Sequence, residues 1–230
     1  MQAPFASQHG QDSTLGFSDR IEAGRLLAQK LVHYKGRPDV IVLGLPRGGV
    51  PVAFEVARAL QAPLDVFLVK KIGVPGYEEL ALGAAASGGI FLIDPELASN
   101  IGLTSDEIQA LTHAAHEQLQ AREKLYRADL PAYPLKDKTV ILVDDGLATG
   151  SSMQAAVAAV RRFQPARVVV AVPVAARETC EELRTVADEV VCASTPAPFF
   201  AVGAWYDDFR QTSDDEVIQL LHRAAEEKRS

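Results

Sequence analysis

Two adjacent carboxylates, Asp144 and Asp145, followed closely by Thr149-Gly150-Ser151-Ser152, are the residues of this chain whose types and spacing could do chemistry. Side-by-side anions repel a phosphate, but they accept hydrogen bonds from two neighbouring hydroxyls, as the 2′,3′-diol of a ribose supplies. Each such charge-assisted bond contributes about 1.5–3 kcal/mol, enough for selectivity. The hydroxyl and glycine run has the opposite preference. It precedes the apolar-periodic stretch Met153 to Phe163, so its N–H groups and hydroxyls belong at a helix N-terminus, where a phosphate is favoured. A diol acceptor beside a phosphate donor describes a clamp for ribose 5-phosphate. Val140 to Val143, a continuous apolar run of the parallel-sheet kind, must deliver it to the carboxyl edge of a sheet, and Gly146 and Gly150 free the backbone to curl. Taken singly, the same features also fit a glycine-broken turn with a capping Thr149 and two solvated aspartates.

The full run, Val-Ile-Leu-Val-Asp-Asp-Gly-Leu-Ala-Thr-Gly-Ser-Ser over 140–152, resembles the phosphoribosyl pyrophosphate (PRPP) signature of the type I phosphoribosyltransferases. Its wording is nearest to the adenine-type enzymes. It departs from the hypoxanthine-guanine type at Ala148, where those enzymes carry an aspartate implicated in proton transfer. The resemblance extends over most of residues 20–222 and is nearest to an uncharacterised bacterial group. It implies a glycosyltransferase of nucleotide metabolism that moves 5-phosphoribosyl from PRPP to a ring nitrogen of a nucleobase-like acceptor and releases pyrophosphate. It also implies Mg²⁺ carried mostly by substrate oxygens, with a homodimer as the common assembly. Asp144, Asp145, Gly146, Leu147, Ala148, Thr149, Gly150, Ser151 and Ser152 then hold the ribose and its 5-phosphate. Asp144, Asp145, Arg47 and Lys71 are the expected catalytic set. A catalytically silent PRPP sensor is the alternative that the vacancy at Ala148 permits.

Pro46-Arg47-Gly48-Gly49 ends the first apolar strand, so it belongs on the same edge. Bare glycine backbone beside a guanidinium suits a pyrophosphate, and the matching loop of the family binds one; an exposed tight turn is the plainer alternative. Lys70-Lys71-Ile72-Gly73 resembles the basic start of the mobile catalytic loop in adenine-type members, which gives Lys70 and Lys71 to the pyrophosphate, although adjacent lysines at a strand end are also often simply solvated. Glu78 and Glu79 read as a surface pair. Val202-Gly203-Ala204-Trp205-Tyr206-Asp207-Asp208 resembles, with gaps, the purine segment of the hypoxanthine-guanine enzymes. By that resemblance Val202, Trp205 and Tyr206 meet the acceptor, and Asp207 and Asp208 hold Mg²⁺. An aromatic plug over a hood is the alternative.

No Gly-x-x-x-x-Gly-Lys-Ser/Thr, no Gly-x-Gly-x-x-Gly after a strand and no Gly-x-Ser-x-Gly occurs, which disfavours nucleotide-triphosphatase, dinucleotide and α/β-hydrolase chemistry. A net charge of −7 and a pI near 5.3 argue against nucleic acid as a partner. The N-terminus shows no basic then apolar leader, and the most apolar run is broken by Pro173, so neither a signal nor a membrane partner is expected and the cytoplasm is the expected compartment. Cys180 and Cys192 have no metal-ligand spacing and are expected to be reduced, structural thiols.

The periodicities supply the frame. Residues 1–16 read as a loose tail, and 17–230 as one α/β domain of 48% hydrophobic chain, doubly wound, with a mainly parallel sheet flanked by helices and a small hood made from both chain ends. A helix capped by Ser18 or Asp19, a strand over 39–45, a helix over 50–60 with Pro51 in its first turn and a strand over 64–69 lead into a polar, mobile segment at 70–79. An antiparallel pair over 80–86 and 89–93 follows. Thr104 to Glu107 forms a capping box that opens a helix to about Arg127. After the signature come a strand over 167–174, a helix over 179–186, a strand over 190–193, an extended aromatic stretch over 199–206 and a helix capped at Ser213. Because Asp144 and Asp145 are placed on a solvent-facing loop, their replacement by Asn is expected to leave the fold intact.

Overall fold

A computed structural model describes residues 16–228, apart from the side chains of Glu78 and Glu79; the expected tail, but for Gly16, lies outside the described residues. In chain order the elements are α1 (Arg20–Lys30), β1 (Val40–Gly44), α2 (Gly49–Leu60), β2 (Leu64–Val66), β3 (Val69–Val74), β4 (Tyr77–Ala86), β5 (Ile90–Ile93), α3 (Pro95–Asn100) and α4 (Ser105–Arg127). They continue with β6 (Thr139–Val143), α5 (Ser151–Arg161), β7 (Arg167–Val174), α6 (Arg177–Leu183), β8 (Glu189–Ser194) and α7 (Asp214–Glu227).

The continuous apolar runs form a parallel five-stranded sheet in the order β2-β1-β6-β7-β8. Both faces are covered, which is why the central strands β1, β6 and β7 are almost continuously apolar rather than alternating. Val40, Val42, Ile141 and Val143 face a core shared with α1, α2, α4 and α7. Ile41, Leu43, Val140 and Leu142 face the other core, filled by Met153, Ala156, Val157 and Val160 of α5 and by Leu183 of α6. The neighbours β1 and β6 run in register, Gly44 beside Val143, yet the chain leaves β1 for α2 on one face and β6 for α5 on the other. This divergence is the topological switch point at which open α/β sheets leave a ligand crevice.

The second sheet corrects the reading of 64–79. The strand expected to reach Val69 stops at Val66, because the chain crosses at Phe67-Leu68, where the Leu68 N–H donates to Ser87 Oγ and the Ser87 N–H to the Leu68 carbonyl, both at 2.9 Å. Val69 instead opens β3, and residues 70–74, expected to be polar and mobile, continue it, pair with β4 and bury Ile72 and Val74; β4 also pairs with β5. Tertiary pairing outweighs the local glycine and proline signals here. The short α3 was not anticipated, although Asp94-Pro95-Glu96 is a start signal: the Asp94 side chain accepts from the N–H groups of Glu96 and Leu97. The capping box at Thr104 and Glu107 is present and opens α4.

Cys180 of α6 and Cys192 of β8 are joined by a disulfide, contrary to the expected reduced thiols, because β8 follows α6 directly and packs alongside it, which brings the two thiols together. The segments around Phe17 and Tyr206 also meet. Phe17 forms a parallel bridge with Tyr206, and Phe17, Ala23, Val174 and Tyr206 make a small core of their own. Among the described residues no helix is long and apolar enough to cross a membrane.

Candidate active site

The loops leaving β1 and β6 touch. A Cβ built on Gly48 would lie 2.0 Å from Asp145 Oδ2, and one on Gly49 would lie 2.7 Å from the Val143 carbonyl oxygen and 2.8 Å from Asp144 Cα. Both glycines are therefore required by the approach of the second loop. The Gly49 N–H donates to the Leu45 carbonyl at 3.1 Å, so it is engaged within the turn instead of converging on a ligand with its neighbour.

The β6–α5 loop is fastened from several sides. Leu147 donates to the Val174 carbonyl at 3.0 Å, accepts from the Ala176 N–H at 3.1 Å and buries its side chain in the core, so it anchors the loop and does not face the crevice. Thr179 Oγ1 donates to the Ala148 carbonyl at 2.6 Å. Gly150 adopts φ +69°, and a Cβ there would lie 2.6 Å from Thr179 Cγ2, which makes glycine the only residue that fits. Gly146 is pressed by Val202, whose Cγ1 would lie 2.4 Å from its Cβ. The result is that α5 begins at Ser151 with Gly150 as its N-cap and no side-chain cap, while Thr149, Ser151 and Ser152 stay exposed. Thr149 is thus not a cap; its hydroxyl lies 3.3 Å from that of Ser151. An uncapped N-terminus ringed by hydroxyls is a ready anion site.

A cleft of about 320 Å³ opens beside this helix start, lined among others by Pro46, Lys70, Gln118, Arg122, Asp144 and Ser152. Lys70 hydrogen-bonds Gln118 across it. Successive side chains of a strand point to opposite faces, so Lys71 is carried away from the cleft and is exposed, contrary to its expected place beside a pyrophosphate. Arg122, which nothing in the sequence singles out, lies one turn beyond Gln118 on α4 and brings a second cation to the cleft. Arg47 turns instead to the start of α7, where its Nη1 lies 3.8 Å from Asp214 Oδ1. Tyr126 donates to the same oxygen at 2.6 Å, and burial together with the Asp214 charge pushes its hydroxyl up to about 12.

The carboxylates are less open than the sequence suggested. Asp144 accepts the N–H of Asp145 at 2.9 Å. Burial, and then the charge of Asp145, hold its carboxyl well above the usual carboxylate range. The Asp145 side chain is only 14% exposed and forms an ion pair with Arg20 at 2.8 Å; burial raises its carboxyl and Arg20 opposes the shift. Replacement of both by Asn is therefore not structurally silent, as a solvent-facing loop would have allowed. Asp144 is the one carboxylate among the residues lining the cleft. That suits Mg²⁺, which binds through one or two carboxylates when phosphates and waters supply the other oxygens.

The segment after β8 plays a supporting part. Tyr206, expected at the acceptor, is buried and donates to the Asp145 carbonyl at 2.6 Å. Trp205 packs against the Phe17–Tyr206 core, with its buried Nε1 lacking a hydrogen-bond partner among the described residues, which is the plug arrangement. Val202 packs on Gly146. The carboxylate of Asp208 is held by Arg210 at 2.7 Å and Asp207 is exposed, so the expected metal pair is not assembled; among the described residues no cluster of three metal-binding side chains occurs.

The family model of the phosphoribosyl transferase domain matches residues 19–208. The chain is 46% identical over 208 residues to proteins of two Mycobacterium tuberculosis strains that carry provisional phosphoribosyl transferase names; the match covers 90% of this chain and 47% of theirs, so the chain spans about half the length of these curated relatives. The crystal structure of TT1426 from Thermus thermophilus is 45% identical, with a TM-score of 0.80, over 90% of this chain and 98% of that one. The chain belongs to the type I phosphoribosyltransferase family, and its parallel sheet with flanking helices is the fold of that family.

Proposed function

We propose that the protein transfers the 5-phosphoribosyl group of PRPP to a ring nitrogen of a nucleobase-like acceptor and releases pyrophosphate. One observation carries this reading: an uncapped, hydroxyl-ringed helix start and a half-buried aspartate share one cleft with Lys70 and Arg122. In this reading Thr149, Gly150, Ser151 and Ser152 take the 5-phosphate through backbone N–H groups and hydroxyls. Asp144 and Asp145 accept the ribose hydroxyls. The pyrophosphate lies against the turn at Pro46 and Gly48, with Lys70 and Arg122 across the cleft, and Arg47 joins it by leaving Asp214.

Cleavage of the bond from the anomeric carbon to the pyrophosphate leaves positive charge on the ring and negative charge on the leaving group. Fixed anions beneath the ribose and cations beside the pyrophosphate stabilise that separation more than they stabilise intact PRPP, which is the condition for catalysis. Mg²⁺, held by Asp144 and by substrate oxygens, supplies further charge neutralisation when bound. The side chain at Ala148 takes no part in proton transfer, so the acceptor proton leaves by another route.

Calorimetric titration with PRPP and Mg²⁺, followed by a panel of purine and pyrimidine bases with pyrophosphate release as the readout, tests the reading. Saturable PRPP binding and release with at least one base are expected. Absence of PRPP binding would remove the assignment.

A further inference from the structure

Asp145 meets its ligand already committed to another residue. Arg20, at the first position of α1, places Nε 2.9 Å and Nη2 2.8 Å from Asp145 Oδ2, so both donors fall on that oxygen rather than on Oδ1. Its Nη1 donates to the Arg210 carbonyl at 2.7 Å, and its Cζ lies 4.0 Å from the ring centre of Phe209. A single guanidinium thus joins three segments far apart in sequence: the start of α1, the loop after β6, and residues 206–210. The side chain is only 11% exposed. Gly48 closes the arrangement from the β1 side, because a Cβ there would lie 2.0 Å from Asp145 Oδ2 and 3.2 Å from Arg20 Nε.

We propose that Arg20 is a positioning residue for the pentose: it fixes the Asp145 carboxylate with Oδ1 turned to the ribose hydroxyls and ties residues 206–210 to the loop that bears it. This role rests on the phosphoribosyl reading given above. The physical need is plain. Two adjacent carboxylates repel each other and lose hydration as the site closes, so an unpaired Asp145 would swing away from Asp144 toward solvent. A planar fork holds one oxygen in place and leaves the other for the ligand. A lysine would keep the charge, but it cannot reach the Arg210 carbonyl and stack on Phe209 while sharing one oxygen through two donors. Arg20 touches no reacting atom in this scheme, and its effect passes through Asp145.

The test separates the two ends of PRPP. Ribose 5-phosphate and inorganic pyrophosphate are titrated separately, each with Mg²⁺, into wild type, Arg20→Lys, Arg20→Ala and Phe209→Ala, with thermal unfolding recorded for each protein. The dissociation constant for ribose 5-phosphate is expected to rise about tenfold in Arg20→Lys and about a hundredfold in Arg20→Ala, the equivalent of one and two charge-assisted hydrogen bonds. A rise of about threefold is expected in Phe209→Ala, from loss of the ring beneath the cation. Pyrophosphate affinity is expected to stay within about twofold in all three. Equal weakening of both ligands, or unchanged binding of ribose 5-phosphate, overturns the role. If Arg20→Ala does not fold, Arg20→Lys and Phe209→Ala decide the outcome. Wild type that binds neither ligand overturns the phosphoribosyl reading itself, a result distinct from the other two.

Discussion

The two halves of the β6–α5 loop are finished to different degrees. The phosphate half, Thr149 to Ser152, exposes its hydroxyls and is uncapped, shaped by Gly150 in the left-handed region and by Thr179 behind it. The carboxylate half is half-buried and already paired, with Arg20 on Asp145 and Tyr206 on the backbone beneath. The difference follows from charge. Backbone N–H groups at a helix start point in one direction and wait for an anion without repelling one another. Neighbouring carboxylates need an outside partner to stay close together, so this half of the site recruits Arg20 and Tyr206 from segments far from it in sequence.

Substitutions sharpen that contrast, and the largest effect is expected on the carboxylate side. Asp145→Ala leaves the Arg20 guanidinium largely buried without its partner, at a cost of about 3 kcal/mol measured by urea unfolding. Thr149→Ala removes an exposed hydroxyl, so it should change stability by less than about 0.5 kcal/mol while weakening ribose 5-phosphate binding about tenfold in calorimetry. Comparable stability losses in the two variants would erase the distinction between the halves. Across the cleft, Lys70→Ala is expected to weaken pyrophosphate binding about fivefold, and Lys71→Ala to leave it within about twofold, because alternation along β3 sends the second lysine elsewhere. A larger loss from Lys71 would restore the reading based on sequence.

The smallest effect is a slope with pH. The raised carboxyls of Asp144 and Asp145 bind protons in the folded chain that the unfolded chain has already lost above its ordinary value near 3.8. Folded stability from this pair therefore falls as pH rises from there through the raised values. Asp39 acts in the opposite sense at lower pH. The Arg37 hydrogen bond holds it at about 2, so its contribution is present above 3.8 and is lost as pH falls toward 2. In urea unfolding without Mg²⁺, Asp144→Asn should gain stability relative to wild type as pH is raised from 5 to 8. A constant difference would show that Asp144 ionises normally.

The sequence disclosed what is local. The Asp-Asp and Thr-Gly-Ser-Ser spacing, the strands around it and the capping box of α4 are all set within a few residues, so their outcome was legible before any tertiary contact was known. The supports were not. Arg20 stands 125 residues from Asp145 and Tyr206 stands 61 from it, and nothing in their neighbourhoods marks them as partners. Lys70 and Lys71 could not be told apart until β3 acquired a register with β4, since that pairing decides which lysine faces α4. Arg122 was hidden for a related reason: a helical period identifies a face, while the element opposite decides whether that face is a surface or a wall. Cys180 and Cys192 likewise became a bonded pair only through the packing of α6 along β8.

The bare start of α5 has a thermodynamic corollary. Since Gly150 offers no side chain to the first turn, an arriving phosphate would complete the helix as its missing terminus. Occupancy and folding then become linked equilibria: the apparent melting temperature climbs with the logarithm of phosphoester concentration, and the amides of Ser151, Ser152 and Met153 are the ones whose hydrogen exchange slows first.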